Sequence, residues 1–163
     1  MKEIIVERHK NLYPLTLANG DKYDSIIKVY DDNEKLLTIP FVNTDYTVNY
    51  KGGKLHNGTY RFIKGMHRGK YEGIMIFDAY EDDVPLIKTY KDLTLKQRTL
   101  PSSIINPNHK KMIITYVNIH KGGLTWDYSH GCLTILTDRL IYNYYKDFIE
   151  LFKMNEMGLI HIL

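Results

Sequence analysis

Short runs of β-branched and aromatic residues recur along the chain, separated by Gly, Asn, Asp and Pro. That punctuation predicts strands joined by turns rather than long helices. Residues 3–8, with Ile4, Ile5 and Val6, predict a first strand, and Asn19-Gly20-Asp21 marks a turn. Residues 25–30 and 35–42 flank Asp31-Asp32-Asn33-Glu34, the pattern of a hairpin. Tyr46, Val48 and Tyr50 alternate within residues 44–50, and Gly52-Gly53 and Asn57-Gly58 give two more turn signals. A second hairpin is predicted from residues 59–64 and 72–79 around a Gly/His/Arg-rich connection, residues 65–71. Tyr60 and Phe62 share one face of its first arm, Met75 and Phe77 one face of its second. Residues 84–90 read as a further strand. Residues 91–109 have no clean period and contain Pro101 and Pro107, which predicts a long surface excursion with at most one helical turn. Such loops over a barrel mouth commonly shape a groove.

Towards the C-terminus, residues 112–119 predict a strand whose end presents His120, and residues 133–136 predict another. Thr137 or Asp138 then stands where a helix cap is expected. Ile141, Tyr144, Tyr145, Phe148, Ile149 and Phe152 follow helical spacing and predict a core-facing stripe. Gly158 is the expected stop, with a last strand over residues 159–163. The sum is a mostly-β single domain, residues 1–163, with one principal C-terminal helix.

Composition is that of a globular domain, with 44% hydrophobic and 25% charged residues. A formal charge of +3 from dispersed lysines suits an anionic polymer but gives no nucleic-acid footprint. The N-terminal run is too short and too charged for a signal peptide, and no stretch approaches a membrane span. A chain made without a leader and acting outside the membrane would then leave by lysis or be exported by another route.

The stretch that carries chemistry is residues 118–135, Asn-Ile-His-Lys-Gly-Gly-Leu-Thr-Trp-Asp-Tyr-Ser-His-Gly-Cys-Leu-Thr-Ile. It holds the only cysteine, Cys132, and the only tryptophan, Trp126. One cysteine excludes an internal disulfide. Its bland reading is a small buried hydrophobe. Its sharp reading is a nucleophile, with His120 twelve residues upstream as the base that takes the thiol proton. Gly131 permits backbone angles that let the amides of residues 131 and 132 hold an oxyanion. His120, His130 and Cys132 are also possible zinc ligands, but they lack the usual ligand spacing and no HExxH or CxxC accompanies them. Thiolate chemistry calls for neither metal nor cofactor. The other histidines, His67 among them, are scattered and carry no signal.

Ser129-His130-Gly131-Cys132, followed by Leu133 and preceded by His120, resembles the active-site signature of the L,D-transpeptidases, the YkuD-type catalytic domain. The short loop from Lys121 to Tyr128 is most similar to small phage- and mobile-element-associated relatives, as is Asn57-Gly58-Thr59-Tyr60-Arg61-Phe62 upstream. The resemblance implies a β-sandwich or open barrel. It implies Cys132 as nucleophile, His120 as base, and Ser129, His130 and Gly131 as the residues leading into the sulfur. The substrate implied is the stem peptide of peptidoglycan, held as a thioester and passed to water (hydrolase) or to an amine (transferase). Lys121, Gly122, Trp126 and Tyr128 would line the substrate groove. The chain departs from the family pattern at three points: the loop is short, Lys121-Gly122 replaces the common Gly-Thr, and Thr134 stands where Arg or Asn is usual. A non-catalytic module of the same fold, binding cell wall or built into a virion, is the rival reading.

Overall fold

The computed structural model describes residues 1–45, 53–103, 112–124, 132–138 and 142–163. In chain order its strands are β1 (Lys2–Glu7), β2 (Leu15–Thr16), β3 (Lys22–Tyr23), β4 (Ser25–Asp31), β5 (Glu34–Asn43), β6 (Lys54–Leu55), β7 (Gly58–His67), β8 (Tyr71–Phe77), β9 (Thr99–Ser103), β10 (Ile113–Thr115), β11 (Asn118–Gly122), β12 (Leu133–Leu136) and β13 (Met157–Ile162). Two short helices, α1 (Leu95–Arg98) and α2 (Tyr144–Ile149), complete the regular structure together with two 3₁₀ turns, Val84–Leu86 and Tyr90–Asp92.

Eight strands close into a barrel in the order β1-β13-β7-β8-β11-β12-β5-β4, with β4 returning to β1. Two of its pairs are parallel, β1 with β13 and β11 with β12. The barrel is therefore closed where the family resemblance implied a sandwich or open barrel. Closure leaves no free strand edge on this sheet.

Alternation explains the interior. Ile4 and Val6, Ile27 and Val29, Phe62, Ile74 and Ile76, Ile119, Leu133 and Ile135, and Ile160 and Ile162 join one buried cluster. The opposite face of β7 and β8 is buried as well. Ile63, Met75 and Phe77 there form a second cluster with Ile87 and Leu93. Residues 84–93 thus lie as a cover on the outside of the barrel.

The two predicted hairpins are present. Asp32 and Asn33 both take positive φ, 45° and 73°, the conformation of a tight primed turn between β4 and β5. The β7–β8 connection is tighter than the sequence suggested, and Arg68 and Gly69 carry its positive φ values. The expected strand at 84–90 is instead a 3₁₀ turn with Pro85 at its start, followed by a second turn in which the Asp92 carboxylate accepts from the Lys88 and Thr89 amides. The excursion at 91–109 contains α1, capped reciprocally by Thr94 and Gln97, and then strand β9. The single strand expected over 112–119 is broken into β10 and β11 at Tyr116, which has φ +56°.

The C-terminal helix is six residues long. Asp138 does not cap it, because Asp138 and Tyr142 exchange both backbone hydrogen bonds in an isolated bridge and Asn143 precedes the first turn. Tyr145, Phe148, Ile149 and Phe152 of the predicted stripe do enter the barrel's interior cluster, and Ile141 lies outside the described residues. Lysines take carbonyls at and just past the helix end. Lys64 Nζ donates to the Ile149 and Phe152 oxygens at 3.1 and 2.8 Å, and Lys2 Nζ to Leu151 oxygen at 2.6 Å. Gly158 is not the stop. It lies within β13, where a Cβ would overlap the Lys2 carbonyl oxygen and the Phe62 ring. The alternation predicted for Tyr46, Val48 and Tyr50 lies outside the described residues.

Candidate functional site

Parallel pairing of β11 and β12 sets the geometry. Ile119 lies opposite Leu133 and His120 opposite Thr134. Ile119 and Leu133 point into the barrel, so their neighbours Asn118, His120 and Cys132 point outward. His120 and Cys132 line one cleft of about 700 Å³ on the barrel's outer wall. In this register they are diagonal neighbours on one face, whose α-carbons in a sheet stand about 7–8 Å apart. His120 lies within β11 rather than at a strand end.

Tyr116 positions the sulfur. A bulky residue at positive φ is a rare conformation. Here it turns its carbonyl toward the strand pair. That oxygen accepts from Asn118 Nδ2 at 3.0 Å and from the Cys132 thiol at 3.7 Å. The Asn118 amide donates to Cys132 Sγ at 3.5 Å. The sulfur thus meets one donor, the Asn118 amide, and one acceptor, the Tyr116 carbonyl.

His120 is held by two contacts. Its Nδ1 lies 3.1 Å from the Lys121 carbonyl, which can only accept, so Nδ1 carries the proton and Nε2 keeps its lone pair. Its ring stacks on His67 with centroids 4.9 Å apart and planes 8° from parallel. Burial, reinforced by His67 and Arg68 nearby, depresses the His120 pKa to about 4, against the weaker opposing effect of the Lys121 carbonyl. His67 is likewise lowered by burial and by Arg68. At neutral pH both stacked rings are uncharged, and His120 is in the form that accepts a proton.

The cleft's remaining described walls come from unexpected places. Tyr90 reaches it from the second 3₁₀ turn, Arg98 from α1, Met66, His67 and Arg68 from the β7–β8 hairpin, and Tyr145 from α2. Gly65 lets Tyr90 lie against β7, since a Cβ there would fall 2.7 Å from the ring. Arg68, Arg98 and Lys121 supply positive charge, and no Asp or Glu is among the described lining residues. His67 is the histidine that sequence reasoning set aside. Its place beside His120 follows from β8 pairing with β11, which no local pattern reveals.

Of the other residues expected at the site, Lys121 lines the cleft with its ammonium 5.5 Å from the Tyr71 ring centre. Gly122 is buried in β11 and its carbonyl accepts from the Thr137 amide, so its backbone serves the barrel. Thr134 is fully buried, between His120 on one side and Asn43 on the other. Trp126, Tyr128, Ser129, His130 and Gly131 lie outside the described residues. Among the described residues no group of three or more His, Cys, Asp or Glu has the arrangement of a metal site, and no helix is long and apolar enough to cross a membrane. No family model, no curated protein and no solved structure matches the chain.

Proposed function

We propose that this chain is a cysteine acyl-transfer enzyme of the L,D-transpeptidase type, acting on the stem peptides of peptidoglycan. The observation that carries the reading is the shared cleft. A thiol and a neutral imidazole, from adjacent parallel strands, face the same accessible space. The Ser129-His130-Gly131-Cys132 signature adds the family expectation.

The Cys132 sulfur attacks the donor carbonyl carbon as His120 Nε2 takes the thiol proton. The tetrahedral oxyanion collapses to a thioester as the C–N bond breaks. His120 returns its proton to the leaving amine. Water or a second stem-peptide amine then attacks the thioester, with His120 again accepting the proton, and the thiol is restored. Because His120 rests neutral, the imidazolium is created in the step itself rather than stored beforehand. The Asn118 amide at the sulfur stabilises the charge that develops as the proton leaves. The cleft volume lies in the range of sites that enclose small ligands, and its aromatic and cationic walls suit a peptide.

Digestion of purified peptidoglycan tests this, with muropeptides read by mass spectrometry. Wild type generates new species and Cys132→Ala generates none. Adding a free D-amino acid separates the two fates of the thioester, because exchange into the stem marks transfer and plain trimming marks hydrolysis. Identical product patterns from wild type and Cys132→Ala would replace the enzyme by the wall-binding or virion module.

A further inference from the structure

We propose that Arg98 is the carboxylate anchor of this cleft, and that the cleft selects an acidic peptide with a free carboxylate within a few residues of the carbonyl presented to Cys132. The inference rests on the acyl-transfer reading for the scissile bond, but its own observations concern Arg98.

Arg98 ends α1, a turn fixed by the Thr94–Gln97 capping box and by the Gln97 carbonyl accepting from the Asp78 amide. Its guanidinium is held at two points. Nη2 donates to the Tyr90 carbonyl at 2.8 Å, and the group lies 5.2 Å from the Tyr116 ring centre. Neither contact neutralises it. Among the described residues no carboxylate comes within ion-pairing distance of Arg98. Its Nε is shielded from water and has no hydrogen-bond partner among the described residues. A guanidinium is planar and offers a fork of donors matched to a carboxylate. Here neighbours fix the fork, and no carboxylate among the described residues meets it.

Tyr116 connects this cation to the nucleophile. The ring packs on Arg98 while the carbonyl of the same residue meets Cys132 Sγ. Guanidinium and sulfur thus meet opposite ends of one residue and line the same cleft, an arrangement that a few residues of extended peptide can bridge at about 3.3–3.6 Å each. Lys121 and Arg68 add positive potential to the same walls, which favours entry of an anion without fixing its orientation. Arg98 sets the orientation because two partners in the cleft wall hold its guanidinium. Position 134, which carries Arg or Asn in the family pattern, is a buried threonine here. The charge stands on a different segment.

The test measures binding apart from turnover. Cys132→Ala is titrated calorimetrically with a synthetic peptidoglycan stem tetrapeptide carrying free carboxylates, and with the same peptide fully amidated. Amidation is expected to weaken binding roughly 10- to 100-fold, the range of a charge-assisted hydrogen bond. With Arg98→Gln added, the two peptides bind alike. With Arg98→Lys, which keeps charge but loses the fork, part of the preference returns. Equal binding of both peptides to Cys132→Ala overturns the proposal without any change to Arg98, so it stays testable even if the Arg98 variants fold poorly. Retained preference in a folded Arg98→Gln protein overturns it too, as does failure of both peptides to bind at millimolar concentration. Carboxylate preference with no wall-digesting activity in wild type would keep the anchor and remove the enzyme. Digestion by wild type with no carboxylate preference would do the reverse.

Discussion

His120 rests neutral, with Nε2 open, because of what holds its other nitrogen and what surrounds its ring. The Lys121 carbonyl fixes the tautomer, and burial against His67 removes the water that would stabilise a cation. The consequence reaches stability. The His120 pKa is about 4 in the fold and 6.5 as an unperturbed side chain. The unfolded chain therefore takes up the proton first. The neutral ring's contribution is fully present above pH 6.5 and is lost as pH falls from 6.5 toward about 4. Between pH 7.5 and 5.0 the loss is about 1–2 kcal/mol once cleft water is allowed for. Urea denaturation at the two pH values measures it. Wild type should weaken more than His120→Gln by that amount, and parallel decline of the two proteins would show that His120 does not carry the dependence. His67 contributes in the same direction in both proteins, so the difference isolates His120. At this scale the sequence was partly legible. Cys132 and His120 stood out because a thiol beside Ser-His-Gly and an upstream imidazole form a chemical pattern within one stretch. His67 and Arg98 did not, because each is brought to the cleft by a separate element and neither has a telling neighbour in the chain.

Elements whose ends are set by local chemistry were the readable ones. Asp32-Asn33 sets the turn between β4 and β5 through two adjacent residues that tolerate positive φ. Residues 84–90 and 112–119 misled, because an apolar run fits a strand, a 3₁₀ turn or two broken strands equally well. Pro85 and the Asp92 carboxylate decide the first case, and the left-handed turn at Tyr116 the second. The length of α2 was hidden for a different reason. Its end is met by two lysines that arrive from β1 and β7. Lys64 is the more buried, with its ammonium between the last helix carbonyl, Ile149, and that of Phe152 beyond it, and 3.4 Å from Glu72. Lys64→Met keeps a long apolar stem but leaves the Ile149 and Phe152 carbonyls without that donor. A loss of about 2–4 kcal/mol is expected, read as a lowered midpoint in chemical denaturation. Glu72 is half-exposed and returns to water at little cost, so the loss measures the carbonyls. A change under half a kcal/mol would mean that the helix end finds water as readily as it found lysine.

Closure of the barrel joins segments that no sequence window contains together. Ile160 of β13 lies opposite Ile4 of β1 on one side and Tyr60 of β7 on the other, and it is fully buried. A mostly-β reading was available from alternation, but alternation does not say which strands become neighbours, and the parallel β1–β13 seam gives no local sign. The same fact predicts the order of folding. The β4–β5 hairpin closes through a two-residue turn, whereas the seam must first bring distant parts of the chain together at an entropic cost. Ile160→Ala should cost about 2–5 kcal/mol, as for other fully buried isoleucines. Most of that cost should appear as faster unfolding, with a φ-value below about 0.3. Val29→Ala, within the hairpin and equally buried, should slow folding instead and give φ above about 0.5. Stopped-flow chevrons of the two variants decide between the orders. A φ-value near 1 at Ile160 with a low value at Val29 would mean that the seam forms first and that the outer wall carrying His120 and Cys132 is assembled on a barrel already closed.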